Sequence, residues 1–215
     1  MVIKMKVMGI DLGGTQIKYG VVQDGRMLYQ SQCKTPKGTY ADVLSTLCKV
    51  TNDTLEKYPD IAYIGLAAPG IIEIKTGVVC YSNNLNWNDA PIGSDLHRAT
   101  GKTIYLGNDA QCATLGESLF GAGQRVDRVA MLTLGTGVGG GFVKKGKIET
   151  DLYGAMAYVF GHQSIFDKQI ACNCGRKDCL EVYASATAIS KKAPTKTVKE
   201  VFDAARSGDA DCKKM

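Results

Sequence analysis

Short apolar runs separated by glycine-rich turns open the chain. Residues 3–10 and 17–22 flank the turn Asp11-Leu12-Gly13-Gly14-Thr15, and Asp24-Gly25, a strong hairpin signal, leads into residues 27–32. The pattern predicts three strands in succession. Over residues 40–57 the apolar positions Val43, Leu44, Leu47 and Leu55 recur at helical spacing. Residues 61–67 read as a buried strand ending at Pro69-Gly70, and residues 71–88 as a hairpin followed by a polar loop. A helix over 92–100, a strand over 103–106 and a helix rich in Ala and Leu over 109–120 complete this set. After Gly121-Ala122-Gly123 a second set opens with strands at 128–134 and 139–144, and an amphipathic helix is expected at 198–205. The chain stops at 211–215 in what reads as the start of one more helix. Each set begins strand, Gly-rich turn, strand. The expectation is an α/β chain of two domains, 1–120 and a shorter 121–215, meeting near Phe120 to Gln124.

Composition narrows the partners. Hydrophobic residues make up 45% of 215 positions, enough for an ordinary core, so global disorder is a poor description. The net charge of +5 comes from scattered lysines and the tail after Lys191. No helix-length basic stripe interleaved with aromatics appears, so no nucleic-acid partner is expected. The first six residues lack an apolar signal core and cleavage site, and no run approaches the ~20 apolar residues of a membrane span. A cytoplasmic location without a membrane partner is therefore expected.

That compartment changes how the eight cysteines read, because clustered thiols in a reducing environment point to metal before disulfides. Cys33, Cys48, Cys80, Cys112 and Cys212 are scattered and read as small buried or half-exposed residues. Cys172, Cys174 and Cys179 sit together, and with His162 they form a candidate Cys3His tetrahedral set. Four protein ligands make a zinc site structural. Inert thiols are the competing explanation.

Three segments carry candidate phosphate and proton chemistry. In Asp11-Leu12-Gly13-Gly14-Thr15, adjacent glycines let backbone amides approach a phosphate, Thr15 adds a hydroxyl, and Asp11 could orient hydrated Mg2+. A tight hairpin turn with nothing bound is the competing explanation of the same residues. Leu134-Gly135-Thr136-Gly137-Val138-Gly139-Gly140-Gly141 packs five glycines into seven residues between apolar strands, which is hard to justify structurally because glycine weakens strands. It is not a Walker A, since no Gly-Lys-Ser/Thr follows, and not a Rossmann fingerprint, since a strand follows in place of a helix. Asn108-Asp109 closes a strand and opens a helix. There Asp109 is placed to act as the general base of phosphoryl transfer with Asn108 as an orienting amide, or simply to cap the helix.

Taken in order and spacing, these motifs resemble the ROK family of repressors, open reading frames and sugar kinases, from about Gly9 to Ser185. The resemblance implies an actin/hexokinase-like (ribonuclease H-like) pair of domains closing over a cleft, and ATP-dependent, glucokinase-like phosphorylation of a hexose. It implies phosphate binding at Asp11, Gly13, Gly14, Thr15, Gly135, Thr136, Gly137 and Gly139, with Asp109 as catalytic base. Gly70, Asn88, Asn108, Asp109, His162 and Glu181 fall on the sugar side. The family's zinc signature matches His162 with Cys172-x-Cys174-Gly-x-x-x-Cys179-x-Glu181, with Asp178 where glycine is usual. Structural Zn2+, Mg2+ with ATP, and a homo-oligomer are the expected cofactors and assembly.

Two departures set up the alternative of a sugar-binding or regulatory member. In Ala157-Tyr158-Val159-Phe160-Gly161-His162, Val159 takes the place of a glutamate that accepts sugar hydroxyl bonds, a loss of roughly 1–3 kcal/mol if buried. A carboxy-terminal part of the family, including much of the adenine pocket, has no counterpart. The second domain is therefore expected to be incomplete, with the strand face around Ala130, Leu134 and Phe142 uncovered and ATP held weakly. Only ten residues precede Asp11, too few for the helix-turn-helix of the family's repressors, which favours a kinase.

Overall fold

The computed structural model describes residues 5–150 and 159–214; Ile3, Ala157, Tyr158 and Met215 lie outside these. The three expected opening strands are β1 (Lys6–Leu12), β2 (Gln16–Gln23) and β3 (Arg26–Lys34), paired as an antiparallel meander. Asp24 and Gly25 both have positive φ, 51° and 74°, as a two-residue hairpin turn matched to strand twist requires.

Helix α1 (Tyr40–Lys57) returns the chain to β4 (Ile61–Ala68), which lies parallel to β1. After an excursion, α2 (Ile92–Thr100) leads to β8 (Thr103–Asn108), parallel to β4. The strand order is β3-β2-β1-β4-β8. Alternate residues on one face, among them Met8, Ile10, Leu12, Ile17, Ile64 and Leu66, join Val43, Leu47, Ile92 and Leu96 from the two helices in one core. Burying each such side chain stabilises the fold by roughly 1.5–3 kcal/mol.

The excursion differs from expectation. It is a three-stranded meander of β5 (Ile71–Glu73), β6 (Val78–Ser82) and β7 (Trp87–Ala90), so the expected polar loop ends in a strand. Trp87 and Ala90 are buried, and Trp87 sits edge-on to Tyr40 with ring centroids 5.0 Å apart. Between them Asn88 and Asp89 are both exposed, with Asp89 at φ 48°, so no two-residue alternation marks this strand.

Parallel β1, β4 and β8 bring their carboxyl ends to one edge of the sheet, where open α/β sheets form binding crevices. Asp11, Ala68 and Asn108 gather there by register: Asp11 pairs with Ala67, and Ala68 with Asn108.

Helix α3 (Asp109–Phe120) then connects to an antiparallel sheet of β9 (Arg128–Leu134), β10 (Val138–Lys144) and β11 (Lys147–Ile148). The buried face of α3 is Ala110, Gln111, Thr114 and Ser118, while Leu119 and Phe120 are exposed. This small, polar face lies against glycines of β10. A Cβ on Gly141 would meet Thr114 Oγ1 at 2.4 Å, and one on Gly139 would meet the Ala110 Cβ at 3.0 Å. On the other face of β10 lies a 3-10 turn, Phe160–His162, whose Phe160 ring would be 2.6 Å from a Cβ on Gly140. Three of the five clustered glycines thus have a packing reason, correcting the reading that they are hard to justify structurally.

Beside them on β9, Leu132 and Leu134 are 49% and 59% exposed, so this part of the face is uncovered, whereas Phe142 is half-buried. The remaining helices are α4 (Glu181–Ala184), α5 (Ala186–Lys192), α6 (Val198–Arg206) and α7 (Ala210–Lys213). Helices α4 and α5 were not expected. Ser185, Thr197 and Asp209 cap α5, α6 and α7, and Ile189, Ala193, Val201 and Cys212 form a small separate core. Among the described residues no helix is long and apolar enough to cross a membrane.

Candidate active site

Asn108 and Asp109 divide their work. Asn108 is buried and spends its amide internally: Oδ1 accepts from Gln111 N at 3.1 Å, capping α3, and Nδ2 donates to Gly70 O at 3.1 Å. The cap that Asp109 could have supplied therefore comes from Asn108. Asp109 is the first residue of the helix, exposed, with Oδ1 accepting from Ala110 N at 2.8 Å. Partial desolvation pushes the Asp109 carboxyl above its usual range; the Ala110 bond opposes this, and the nearby Asp11 charge adds to it. Cys112, on the same turn of α3, is raised to about 11 by burial and then by Asp109 and Asp11. The carboxylates of β1 and α3 thus share one electrostatic environment.

The first glycine turn is built as a tight hairpin. Gly13 N donates to Gln16 O at 2.9 Å, and a Cβ on Gly14 would meet Asn84 O at 3.1 Å. Thr35, which sequence reasoning missed, braces the turn: its N–H donates to Thr15 O at 3.0 Å and its hydroxyl to Gly13 O at 2.6 Å. Nothing in the local sequence marks it, because its partners are twenty residues or more away. A cavity of about 600 Å3 opens beside Gly14 and Thr15, lined also by Gln16, Lys34 and Lys37.

The second turn is closed by Gly135 N donating to Gly137 O at 3.0 Å. Gly139 lies within β10, opposite Thr133. Gly135, by contrast, has open space where a Cβ would stand. Three bonds tie the turn to residues 181–187: Ala186 N to Gly135 O at 2.8 Å, Thr187 Oγ1 to Thr136 O at 2.7 Å, and Val138 N to Glu181 Oε2 at 2.9 Å. Thr187 also went unnoticed in the sequence.

His162, Cys172, Cys174 and Cys179 come together, with their ligand atoms all within 4.8 Å of one another. Cys172 Sγ is 3.6 Å from His162 Nδ1, and Cys174 Sγ is 3.6 Å from Cys179 Sγ. Tetrahedral zinc would set such pairs about 3.5 and 3.8 Å apart, so the donor set fits that ion in a closed site. Burial, then the Cys174 and Cys172 thiols, push Cys179 up to about 12, so a thiolate there needs a cation beside it. Asp178 has φ 58°, the left-handed region that explains why glycine suits this place. Its carboxylate also accepts from Gln169 N at 2.8 Å, from Ile170 N at 3.1 Å and from the Tyr183 hydroxyl, and these bonds, Tyr183 first, hold its pKa below the usual range.

Gly70 is required by geometry. Its φ is 115°, and a Cβ would lie 2.1 Å from Tyr81 O. Asn88 is exposed in β7 opposite Tyr81, and Val159 is 43% exposed directly before the 3-10 turn.

The ROK family model matches residues 7–215. This chain belongs to the ROK family. The glucokinase of Thermotoga maritima is 36% identical, the match covering 96% of this chain and 71% of that protein. The ROK hexokinase from Thermus thermophilus superposes with a TM-score of 0.82 at 32% identity, over 98% of this chain and 72% of the other. A ROK glucokinase from Streptomyces griseus, solved with glucose and AMPPNP, gives 0.81 at 30% identity, over 96% and 73%. The fold is thus the α/β fold of ROK hexokinases, with the second domain incomplete relative to these structures.

Proposed function

We propose that this chain transfers the γ-phosphoryl group of ATP to a hexose hydroxyl, with glucose as the first sugar to test. The observation that carries the reading is Asp109, an exposed carboxylate relieved of capping by Asn108 and held near Asp11 at the carboxyl edge of the sheet. The glucokinase relatives support the same chemistry. In this reading domains 1–120 and 121–215 close as two jaws. The sugar hydroxyl lies between Asp109 and the γ-phosphorus; Asp109 accepts its proton, the oxygen attacks phosphorus, and the bond to the bridging oxygen breaks to release ADP. Amides of both glycine turns hold the phosphates. Asp11 would hold hydrated Mg2+ brought with ATP, which would supply neutralisation of the charge developing on the phosphates. His162, Cys172, Cys174 and Cys179 are assigned to one structural zinc, and Gly70, Asn88, Asn108, His162 and Glu181 to the sugar side. A coupled assay of ADP release across glucose, fructose, mannose and N-acetylmannosamine tests the proposal. Turnover with none of them overturns it.

The raised pKa of Asp109 has a kinetic consequence. A base works only as its carboxylate, so kcat/KM falls as pH drops through that raised pKa. Asp11→Asn removes a charge that raises it, and should move the acidic limb to lower pH while the plateau rate also falls. A limb that stays in place would show that the two carboxylates do not interact during turnover.

Val159 favours a second reading, a sugar-binding member of low activity. If the sugar site has family geometry, Val159→Glu restores an acceptor and tightens hexose binding on the order of tenfold, by the worth of one hydrogen bond to a charged group. Calorimetry showing unchanged affinity, together with a lower melting temperature, would place residue 159 away from the sugar.

A further inference from the structure

Three bonds fasten the second glycine turn to residues 181–187, and their placement has a geometric result. In a trans peptide the carbonyl and the following N–H point in opposite directions. Ala186 N holds the Gly135 carbonyl, which aims Thr136 N–H away from residues 181–187; the Thr187 hydroxyl holds the Thr136 carbonyl and aims Gly137 N–H the same way. Glu181 Oε2 takes Val138 N–H out of the set. What remains is a pair of adjacent amides presented to one side, the arrangement of an anion-binding concavity. Neither Thr136 N–H nor Gly137 N–H has a bond within the described residues.

We propose that Thr187 and Glu181 are positioning residues for the phosphoryl donor: they aim the amides of Thr136 and Gly137 at a phosphate of ATP without touching it. This rests on the kinase reading above. It also gives Glu181 a task apart from the sugar, one oxygen on Val138 leaving the other free for a hydroxyl. Glu181 lies two residues after Cys179 and opens α4, so the loop that carries the thiols and the phosphate turn are joined through one side chain.

Thr187 is exposed and α5 is capped by Ser185, so Thr187→Val is expected to fold normally. It should raise the KM for ATP about two- to tenfold, the worth of one neutral hydrogen bond, and leave the hexose KM in place. Thr187→Ser, which keeps the hydroxyl, should restore it. Glu181→Ala should raise the ATP KM by about tenfold or more, since a charged acceptor is lost. Glu181→Gln retains an acceptor for Val138 N–H and should recover ATP affinity while the hexose KM stays raised. Amide exchange at Val138 gives a readout independent of turnover, faster in Glu181→Ala and slow again in Glu181→Gln. If Thr187→Val leaves the ATP KM within about twofold or raises both KM values equally, or if Glu181→Ala leaves the ATP KM within about twofold, the positioning role is overturned. A parent chain with no turnover on any sugar fails the kinase reading instead, and Val138 exchange still judges the anchor.

Discussion

Asp109→Asn lowers kcat by about 10²–10⁴-fold, the usual contribution of a general base, and leaves hexose affinity largely intact. The substitution is close to isosteric, and an asparagine Oδ1 can still accept from Ala110 N. Helix α3 keeps its cap because Asn108 supplies it. Stability should hold or rise: desolvation and Asp11 both disfavour the charged form of Asp109, so a neutral amide removes two unfavourable interactions. The expected signature is therefore a large loss of rate beside an unchanged or higher melting temperature, read by steady-state kinetics and thermal unfolding on the same preparation. A structural role would lower both together. A near-normal rate would remove Asp109 from the mechanism.

Removing metal should have the largest effect on folding. If the four donors hold zinc, binding free energy is folding free energy, and structural zinc is worth about 10–16 kcal/mol in zinc-finger peptides. Even a loss of about 5 kcal/mol would lower Tm by roughly 10–20 °C for a chain of this size. Chelation, or Cys174→Ser, should therefore cost folding before it costs chemistry. Residues 162–181 would loosen first, because among the described residues none of them belongs to either hydrophobic core, and their hydrogen bonds mostly join the segment to itself, as from Ile165 N to Asp178 O and from Leu180 N to Gln163 O. Loosening would reach the second glycine turn through Glu181. Metal analysis of protein purified without chelator should find one zinc per chain. Finding none would sink the assignment, and Cys172, Cys174 and Cys179 would be inert thiols.

Much of this architecture could be read along the chain because its signals are local. The hairpin at Asp24-Gly25 needs positive φ at two successive residues, and these residue types allow it. Helix α1 shows in the spacing of Val43 and Leu47, both buried in the core. Sequence proximity also grouped three of the four sulfur and nitrogen donors, with His162 ten residues before Cys172. Neighbouring residues alone carry that information.

What escaped such reading depends on partners distant in the chain. Helix α3 contains leucines, yet it buries Gln111, Thr114 and Ser118. The reason is β10, whose Gly139 and Gly141 let a small polar face approach more closely than leucine would allow. The same contact explains glycines that, taken alone, look like a phosphate loop. The residue that caps α3 could not be chosen from Asn108-Asp109 either. It is Asn108, which bonds Gln111 on one side and Gly70, 38 residues away, on the other. Thr35 and Thr187 brace the two turns from across the fold. Backbone preference and hydrophobic period act over a few residues and therefore define elements, whereas a hydrogen bond or a packed glycine is specified by both of its partners, and only the folded chain brings those partners together.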